Sequence, residues 1–306
     1  MSFTDTIPAH FPSLYQDEWK LELQQLTSRL QGLVPTYPVQ GESRRFNKLG
    51  KVESKPMTGR FVDSAPEDVA TEMRSLYVDF RTVENFVSKV DSIRLGEIDS
   101  PHNAIIKSHM AAAGRDRDAA IIAMLGGSAY EGKNGTTEVT FDPANAIAKN
   151  YNYDGSTTDQ GLTYDKIVNA RARLGSKNVA GQNVEGSSPL GMVITHDEVE
   201  DLLHDDKFIN RDYRAKLEEA QSGSIVDAFG FTIIAVDSSL LPVATGARGC
   251  YAFAKDCVAF GYAAEPETFV DVLPMKRHDT QIRSEWAWGG TRLDDEGVIQ
   301  INVNRA

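Results

Sequence analysis

The chain carries, at Ser100–Gly127, the sequence SPHNAIIKSHMAAAGRDRDAAIIAMLGG. Ser100 can cap the free N–H groups of a first helical turn, and Pro101 suits the first helical position. Gly126 and Gly127 form a plausible stop. At 1.5 Å per residue, about 25 residues between these signals give a rod of roughly 37 Å. We therefore predict a long helix that serves as a structural spine.

The composition is that of a globular, acidic protein. Of the 306 residues, 41% are hydrophobic and 25% are charged, and the formal net charge is −12 at pH 7. This is enough apolar material for a large core. A protein that grips nucleic acid needs clustered Lys and Arg for phosphate contacts. An acidic chain is a poor candidate for that role, although it could still enclose nucleic acid.

The cysteines and the start of the chain bear on its compartment. Cys250 and Cys257 are interpreted as small buried residues, because a metal site would need further Cys or His at ligand spacing. No apolar run approaches the roughly 20 residues of a membrane helix. The first residues lack the basic and apolar regions of a secretion signal. We expect a protein made in a reducing cytoplasm, without a membrane partner.

Residues 1–36 are predicted to form an arm with an amphipathic helix over Asp17–Leu30. An apolar set at alternating spacings of four and three falls on one face of that helix: Trp19, Leu23, Leu26, Leu30 and Leu33. Two interpretations stay open, since the helix could pack against its own domain or dock on a neighbouring subunit.

Residues 37–86 are predicted to form an extended hairpin. The region is rich in proline, glycine and charge, and its β-like pieces are Arg44–Val52 and Leu76–Val83. A two-stranded excursion is only marginally stable alone. We therefore expect the hairpin to rest on another chain.

The remainder of the chain is predicted to be mainly β. A strand at Thr136–Phe141 precedes a helix at Leu162–Leu174, and a buried strand at Met192–Ile194 enters a helix at Thr195. Five further strands are expected: Ile225–Val236, Tyr251–Tyr262, Phe269–Leu273, Thr280–Trp288 and Val298–Val303.

The densest polar cluster is Thr195–Asp206. A metal site would use His196, Glu200 and His204, which are spaced by four on a helical face. The alternative is a capping box, because Thr195 is followed three residues later by Glu198. The chain has neither a glycine-rich phosphate loop nor a Gly-x-Ser-x-Gly nucleophile motif. We expect no enzyme activity, no cofactor and no metal.

Several charged residues are candidates for contacts with other molecules. Lys276–His278 and Arg283 form a basic patch that could meet an acidic surface or nucleic acid, or could be a solvated strand face. Asp294–Glu296 is interpreted as a turn, and Gly114 with the run Arg115–Asp118 as a bend or a subunit contact. The candidate subunit contacts are Trp19, Leu23, Leu26, Leu30, Arg44, Arg45, Lys48, Arg115, Asp116, Arg117, Asp118, Lys276, Arg277 and Arg283.

The order of these segments resembles that of the major capsid proteins of tailed bacteriophages, the Hong Kong 97 capsid fold, and most nearly those of short-tailed phages. The likeness covers residues 37–306 and rests on order and segment character. It runs through Leu76–Val83 as the returning strand of the family's extended E-loop, Pro101–Leu125 as its spine helix, Leu162–Leu174 and Met192–His204 in its axial domain, Gly223–Val236, Ala254–Ala259, Trp286–Gly290 and Asp294–Val303.

The resemblance implies an α+β fold and a structural function. The expected parts are an arm (1–36), an E-loop (37–86), a peripheral domain (87–150 and 266–288) and an axial domain (151–265 and 289–306). The subunits would form hexamers and pentamers of an icosahedral shell around double-stranded DNA, in the virion after assembly in the host cytoplasm.

Partners implied by the resemblance are a separate scaffolding protein, a portal protein at one vertex and, in some relatives, a decoration protein. Three alternatives stay open. The chain could form an encapsulin-type bacterial compartment, act as a metal-dependent hydrolase through the cluster His196–Asp206, or belong to a tail or adaptor structure.

Overall fold

The computed structural model describes residues 24–50, 68–88, 102–176, 189–205 and 227–305, together with residues 52, 54, 56, 59 and 207. Its helices are α1 (His102–Gly126), α2 (Tyr164–Ser176) and α3 (His196–His204). Its strands are β1 (Thr36–Pro38), β2 (Ser43–Leu49), β3 (Thr71–Tyr77), β4 (Asp79–Val87), β5 (Ala129–Glu131), β6 (Thr137–Val139), β7 (Ala146–Ile147), β8 (Leu190–Thr195), β9 (Asp227–Ala228), β10 (Phe231–Val236), β11 (Val243–Ala244), β12 (Ala247–Ala254), β13 (Val258–Leu273), β14 (Asp279–Arg292) and β15 (Val298–Asn304).

A four-stranded sheet of order β1-β13-β14-β4 supports the long helix. Strands β13 and β14 form an antiparallel pair from Val258↔Arg292 to Leu273↔Asp279. Helix α1 packs across β14, where Trp286 and Trp288 are almost fully buried. The predicted spine at Pro101–Leu125 is confirmed as His102–Gly126, with Pro101 outside the described residues.

A second sheet has the order β7-β15-β12-β8-β10-β9, with β11 beside β12. All six residues of β8 are buried, and β8 runs parallel to β10. Such a strand reads as a continuous apolar run because both of its faces are covered. Helices α2 and α3 add Ile167, Leu174 and Leu202 to the core of this sheet.

The predicted hairpin is present, but its returning strand is not Leu76–Val83. Strand β2 pairs with β3 from Ser43↔Tyr77 to Leu49↔Thr71, and β3 continues into a third sheet of order β2-β3-β5-β6. The strand is interrupted at Val78, whose backbone N–H donates a hydrogen bond to Glu42 O at 3.2 Å. Beyond it, β4 leaves the hairpin and pairs with β14. Apolar residues alternate without interruption from Leu76 through Val78 to Phe80, so the sequence pattern predicts one strand where the structure has two.

The other predicted elements are found with altered bounds. Thr136–Phe141 becomes β6, Leu162–Leu174 becomes α2, and Met192–Ile194 becomes β8. A 3-10 turn at Lys255–Cys257 divides the predicted strand Tyr251–Tyr262 between β12 and β13, and β13 absorbs Phe269–Leu273. Thr280–Trp288 and Val298–Val303 lie within β14 and β15, which extend beyond them.

The predicted strand Ile225–Val236 is interrupted. Residues 223–226 lie outside the described part of the chain. The remainder forms β9 and β10, separated by a turn at Phe229 and Gly230, where φ is positive.

In the described part of the chain, none of the helices is long and apolar enough to span a membrane.

Candidate functional site

Four consecutive charged residues in the middle of α1, Arg115–Asp118, connect the helix to its surroundings; we call them the charged hub. Successive residues of an α-helix are about 100° apart around its axis. Four in a row therefore project to different sides, and each can reach a different neighbour.

Asp118 binds the segment that precedes the first strand. Its carboxylate is fully buried and accepts hydrogen bonds from the Ser28 hydroxyl at 2.6 Å and from the backbone N–H groups of Arg29 at 3.0 Å and Leu30 at 3.1 Å. The Gln25 amide donates a fourth at 2.5 Å. A buried carboxylate is tolerated only when it is well hydrogen-bonded, so this segment and Asp118 depend on each other.

Gly114 permits the close approach that these bonds need. A Cβ atom at this position would lie 3.1 Å from the Ser28 backbone nitrogen and from the Thr27 carbonyl carbon. Next to it, Arg115 donates to the Gln24 side-chain oxygen at 2.7 Å. The segment therefore lies directly on the surface of the helix.

These contacts correct the predicted amphipathic helix at Asp17–Leu30. Residues 24–30 are not helical, and a 3-10 turn follows at Gln31–Leu33. The N–H groups of Arg29 and Leu30 donate to Asp118 and are therefore not used in helical i→i−4 bonds. Leu26 is 57% exposed, whereas Leu30 is fully buried. Trp19 and Leu23 lie outside the described residues.

Asp116 fastens the helix to the sheet beneath it. It accepts hydrogen bonds from the indole N–H groups of Trp286 at 2.9 Å and Trp288 at 3.0 Å. The two indoles stack with ring centroids 5.5 Å apart. Arg81 of β4 pairs with the other carboxylate oxygen at 2.7 Å. One side chain thus joins α1, β14 and β4.

Arg117 reaches a third neighbour. Its guanidinium donates to Gln31 at 2.7 Å and to Glu265 of β13 at 2.5 Å. The same group lies over the Trp288 ring, 4.8 Å from its centroid. Stacking on a ring together with hydrogen bonds to two separate acceptors suits the planar guanidinium, and lysine would not reproduce it.

The charged hub was predicted to be a bend or a subunit contact. In the structure its four side chains form hydrogen bonds within the subunit. The prediction that Leu30 and Asp118 contact another subunit is wrong, because both side chains are fully buried within their own chain. Asp116 and Arg117 are also used internally. The sequence signal for this role was the conjunction of Gly114 with four charges in an otherwise apolar helix.

The remaining candidate contacts lie near the surface. Arg44 stacks over Tyr37 and Arg45 is exposed, while Lys48 pairs with Asp294 at 3.3 Å. Their role between subunits stays a prediction.

The basic patch is divided between a turn and a strand. Lys276 and Arg277 are exposed at the turn between β13 and β14, where Lys276 lies over Phe86. Arg283 is on β14 and pairs with Glu285 at 3.3 Å. A contact of this patch with another molecule also stays a prediction.

The end of the spine helix is held by Arg292, which sequence analysis did not single out. This arginine is fully buried and donates to the carbonyl oxygens of Met124 and Leu125, each at 3.3 Å, and of Gly127. Cations are favourable at a helix C-terminus, where carbonyl groups lack partners.

Asp295 links that helix end to the hairpin. It accepts from Arg292 at 2.9 Å and from Arg74 of β3 at 2.6 Å. The predicted turn at Asp294–Glu296 is confirmed as a 3-10 turn at Asp295–Gly297. Because Arg74 belongs to the returning strand, the base of the hairpin is tied to the spine helix through one carboxylate.

The predicted capping box at Thr195 is confirmed, and it belongs to a larger ionic network. Glu198 accepts from the Thr195 backbone at 2.8 Å, from Arg248 at 3.0 Å and from Arg305 at 3.1 Å. Burial opposes ionisation of Glu198, but the Thr195 and Arg305 hydrogen bonds and the Arg248 charge outweigh it. The pKa of Glu198 is therefore held below its ordinary value.

The residues proposed for a metal site sit elsewhere on that helix. His204 and Glu200 form a loose pair at 3.8 Å, with the His204 side chain 80% exposed. Within the described ranges, no three His, Cys, Asp or Glu side chains are grouped to hold a metal ion.

His109 was not singled out from sequence, yet it connects the helix to three strands. Its Nε2 lies 2.7 Å from the Asn85 amide oxygen, and its Nδ1 lies 3.0 Å from the Ser284 hydroxyl, which is 2.8 Å from the Thr268 hydroxyl. A neutral ring that donates from Nε2 and accepts at Nδ1 satisfies all of these. Burial lowers the pKa of His109.

Both cysteines are free and buried, as predicted. Burial raises the pKa of Cys257 to about 12 and that of Cys250 well above its ordinary value. Neither thiol is poised as a nucleophile.

Comparison with known proteins agrees with the expected fold. The structure of the capsid of cyanophage P-SCSP1u superposes with a TM-score of 0.71 at 13% identity, covering 97% of this chain and 94% of the other. The capsid asymmetric unit of cyanophage Pam1 gives 0.69 at 15% identity with full coverage of both chains. The capsid of Ralstonia phage GP4 gives 0.66 at 10% identity, covering 100% and 98%.

Comparison with curated proteins gave no match. The family model described as "Phage capsid protein" matches residues 7–304, nearly the whole sequence. With its spine helix, its hairpin and its α+β Hong Kong 97-like fold, the chain belongs to the phage capsid protein family and is a major capsid protein of a phage shell.

Proposed function

We propose that copies of this chain associate as hexamers and pentamers that close into an icosahedral shell around double-stranded DNA. The observation that carries the proposal is the hairpin β2–β3. At the far end of its paired strands Leu49 is 73% exposed, and Val52, three residues further along the chain, is 67% exposed. Burying an aliphatic side chain of this kind contributes about 1.5–3 kcal/mol.

The hairpin is held at its base, and the far end of its paired strands exposes apolar side chains. At the base, Arg74 is almost fully buried and pairs with Asp295. Toward the far end, Gly50 N–H donates to Ala70 O at 2.7 Å and continues the ladder past Leu49. Among the strands that the structure describes, β2 lies at the edge of its sheet. A hairpin that is anchored at its base, with exposed apolar side chains and a strand at the sheet edge, is suited to lie on another subunit.

We keep the division into arm 1–36, E-loop 37–86, peripheral domain 87–150 and 266–288, and axial domain 151–265 and 289–306, with the difference that β4, within 37–86, pairs with β14 and not with the hairpin. Two of these boundaries fall inside continuous strands, Val258–Leu273 and Asp279–Arg292. Shared strands of this kind would transmit the position of one domain to the other.

We also propose the partners that a closed shell requires. These are a separate scaffolding protein, a portal protein at one vertex and, in some assemblies, a decoration protein, with assembly in the host cytoplasm. The negative net charge of −12 supports enclosure of DNA without tight adhesion to the shell wall.

The test is electron microscopy of the full-length chain, expressed with and without the scaffolding protein. Closed shells of uniform size with the scaffolding protein are expected. Rings or open tubes would instead indicate a tail or adaptor protein, and shells that hold protein in place of DNA in infected cells would indicate an encapsulin-type compartment.

The role of the hairpin is tested by Leu49→Asp, with Leu49→Met as the matched control. Leu49 is exposed in the subunit, so the charge leaves the unfolding temperature nearly unchanged. The same charge would be buried without a partner in an assembled contact, so Leu49→Asp should abolish shells while Leu49→Met forms them. Normal shells from Leu49→Asp would contradict the proposed role.

A further inference from the structure

Lys166 is a fully buried lysine whose ammonium group is surrounded by main-chain oxygens. Its Nζ lies 2.9 Å from Lys149 O, 2.8 Å from Gln160 O, 2.9 Å from Gly161 O and 3.1 Å from Asn302 O. These oxygens belong to the segment before α2 and to strand β15. We call the four oxygens the carbonyl cage.

The nearby carboxylates are engaged elsewhere. Asp159 pairs with Lys149 at 2.7 Å, and Asp201 pairs with Arg305 at 2.8 Å. They act on Lys166 through space and raise its pKa, while the larger effect, burial, lowers it to about 8. The ammonium form therefore predominates at pH 7, and the carbonyl cage supplies its direct ligands.

The geometry of the carbonyl cage is that of an ion site. An ammonium group has three hydrogens, but four oxygens converge on it. Four carbonyl dipoles aimed at one point repel one another unless a positive charge lies between them. The distances exceed the 2.0–2.6 Å or so that Mg²⁺ and Ca²⁺ require. Rings of main-chain carbonyls replace the hydration shell of K⁺ in proteins.

Part of the carbonyl cage is held in place without Lys166. Lys149 O also accepts from Gln160 N–H at 3.1 Å, and Gln160 O accepts from Asn304 N–H at 2.9 Å. Asn302 lies within strand β15. Removing the ammonium would therefore leave carbonyls that still converge.

We propose that the carbonyl cage is a binding site for a monovalent cation of the size of ammonium or K⁺, and that the Lys166 side chain is its tethered occupant. The cation joins helix α2, the segment 149–161 and the last strand. A chain without this lysine would need a free cation for the same purpose.

The test compares Lys166→Met with the wild type as full-length chains at pH 7. Methionine keeps an unbranched apolar stem and removes the charge. The unfolding temperature should fall by about 5 °C or more in tetramethylammonium chloride. At equal ionic strength, KCl or ammonium chloride should restore at least half of the loss, because these ions fit the carbonyl cage and tetramethylammonium does not.

The control is Lys133→Met, which removes an exposed lysine outside the carbonyl cage. It should respond equally to all three salts. If Lys166→Met does not fold in tetramethylammonium chloride, the yield of refolded protein by circular dichroism replaces the unfolding temperature. Equal stability or equal yield of Lys166→Met in all salts would overturn the proposal, as would a variant as stable as the wild type.

Discussion

At the scale of single residues, buried charges do most of the joining in this subunit. Asp116 and Asp295 each accept bonds from two segments that are distant in sequence, and Asp118 accepts four from the single segment 25–30. Such groups are unfavourable inside a protein unless every partner is in place. They therefore select one arrangement of the segments and penalise the others.

Asp118→Asn tests whether the buried carboxylate holds the segment 25–30 on the helix, because it replaces one carboxylate oxygen by an NH₂ group. The substitution keeps the size of the side chain, but its NH₂ group faces N–H and O–H donors where an acceptor is needed. The free energy of unfolding should fall by about 3 kcal/mol, measured by urea titration. Trypsin should also cleave after Arg29 faster, because the segment is released.

Glu138→Gln is the matched control for Asp118→Asn. Glu138 is exposed, so its loss removes the same charge with an expected change below about 0.5 kcal/mol. Equal unfolding midpoints for Asp118→Asn and the wild type would show that the hydrogen bonds to Asp118 do not hold the segment.

At the scale of elements, the spine helix is a platform with one face on the sheet and another under the chain's own N-terminal segment. Glycine normally weakens a helix interior by about 1 kcal/mol relative to alanine. Gly114 suits the middle of α1 because a Cβ atom there would lie only 3.1 Å from the backbone of Thr27 and Ser28. The cost in helix propensity is offset by the bonds to Asp118.

Gly114→Val should separate the effect of helix propensity from the effect of the close approach of Thr27 and Ser28. A branched side chain must push Thr27 and Ser28 away, and the free energy of unfolding should fall by about 1–3 kcal/mol despite the loss of a helix glycine. Ala119→Val, at a half-buried alanine of the same helix, reports the cost of β-branching alone. If both variants lose the same stability by urea titration, the close approach at Gly114 is unimportant.

At the scale of the whole molecule, a few polar connections join the long helix to two of the three sheets. Arg292 and Asp295 join the end of the helix to the hairpin, and Arg117 and Asp116 join its middle to the four-stranded sheet. His109 extends the same system toward the start of the helix. The subunit can thus present its hairpin in a defined direction.

His109 makes the stability of the molecule depend on pH. Its folded-state pKa lies below the ordinary 6.5, so the unfolded chain takes up a proton first as the pH falls. Stability is therefore full above about pH 6.5 and declines as the pH falls toward the lowered pKa. Between about pH 7 and about pH 5, the unfolding temperature of the wild type should drop more steeply than that of His109→Gln.

His204→Gln serves as the control for the pH profile, since this histidine is exposed. It should keep the slope of the wild type. A His109→Gln profile parallel to the wild type would exclude His109 as the source of the pH dependence.

Local patterns were sufficient for most of the elements. The helix stop at Gly126, the capping box at Thr195 and the apolar run in β8 depend on neighbours within a few residues, and each was predicted correctly. The ordered series of segments also sufficed for the family. These features are local because hydrogen bonds within a helix and alternation along a strand are set by adjacent residues.

Tertiary structure alone decided the rest. The break at Val78 follows from a change of pairing partner, and the non-helical course of residues 24–30 follows from a carboxylate about ninety positions away. Arg292 and Lys166 are ordinary basic residues in the sequence, and only the fold surrounds them with carbonyl oxygens. Contacts between distant segments carry no periodic signal along the chain, because their energy depends on burial and geometry that exist only after folding.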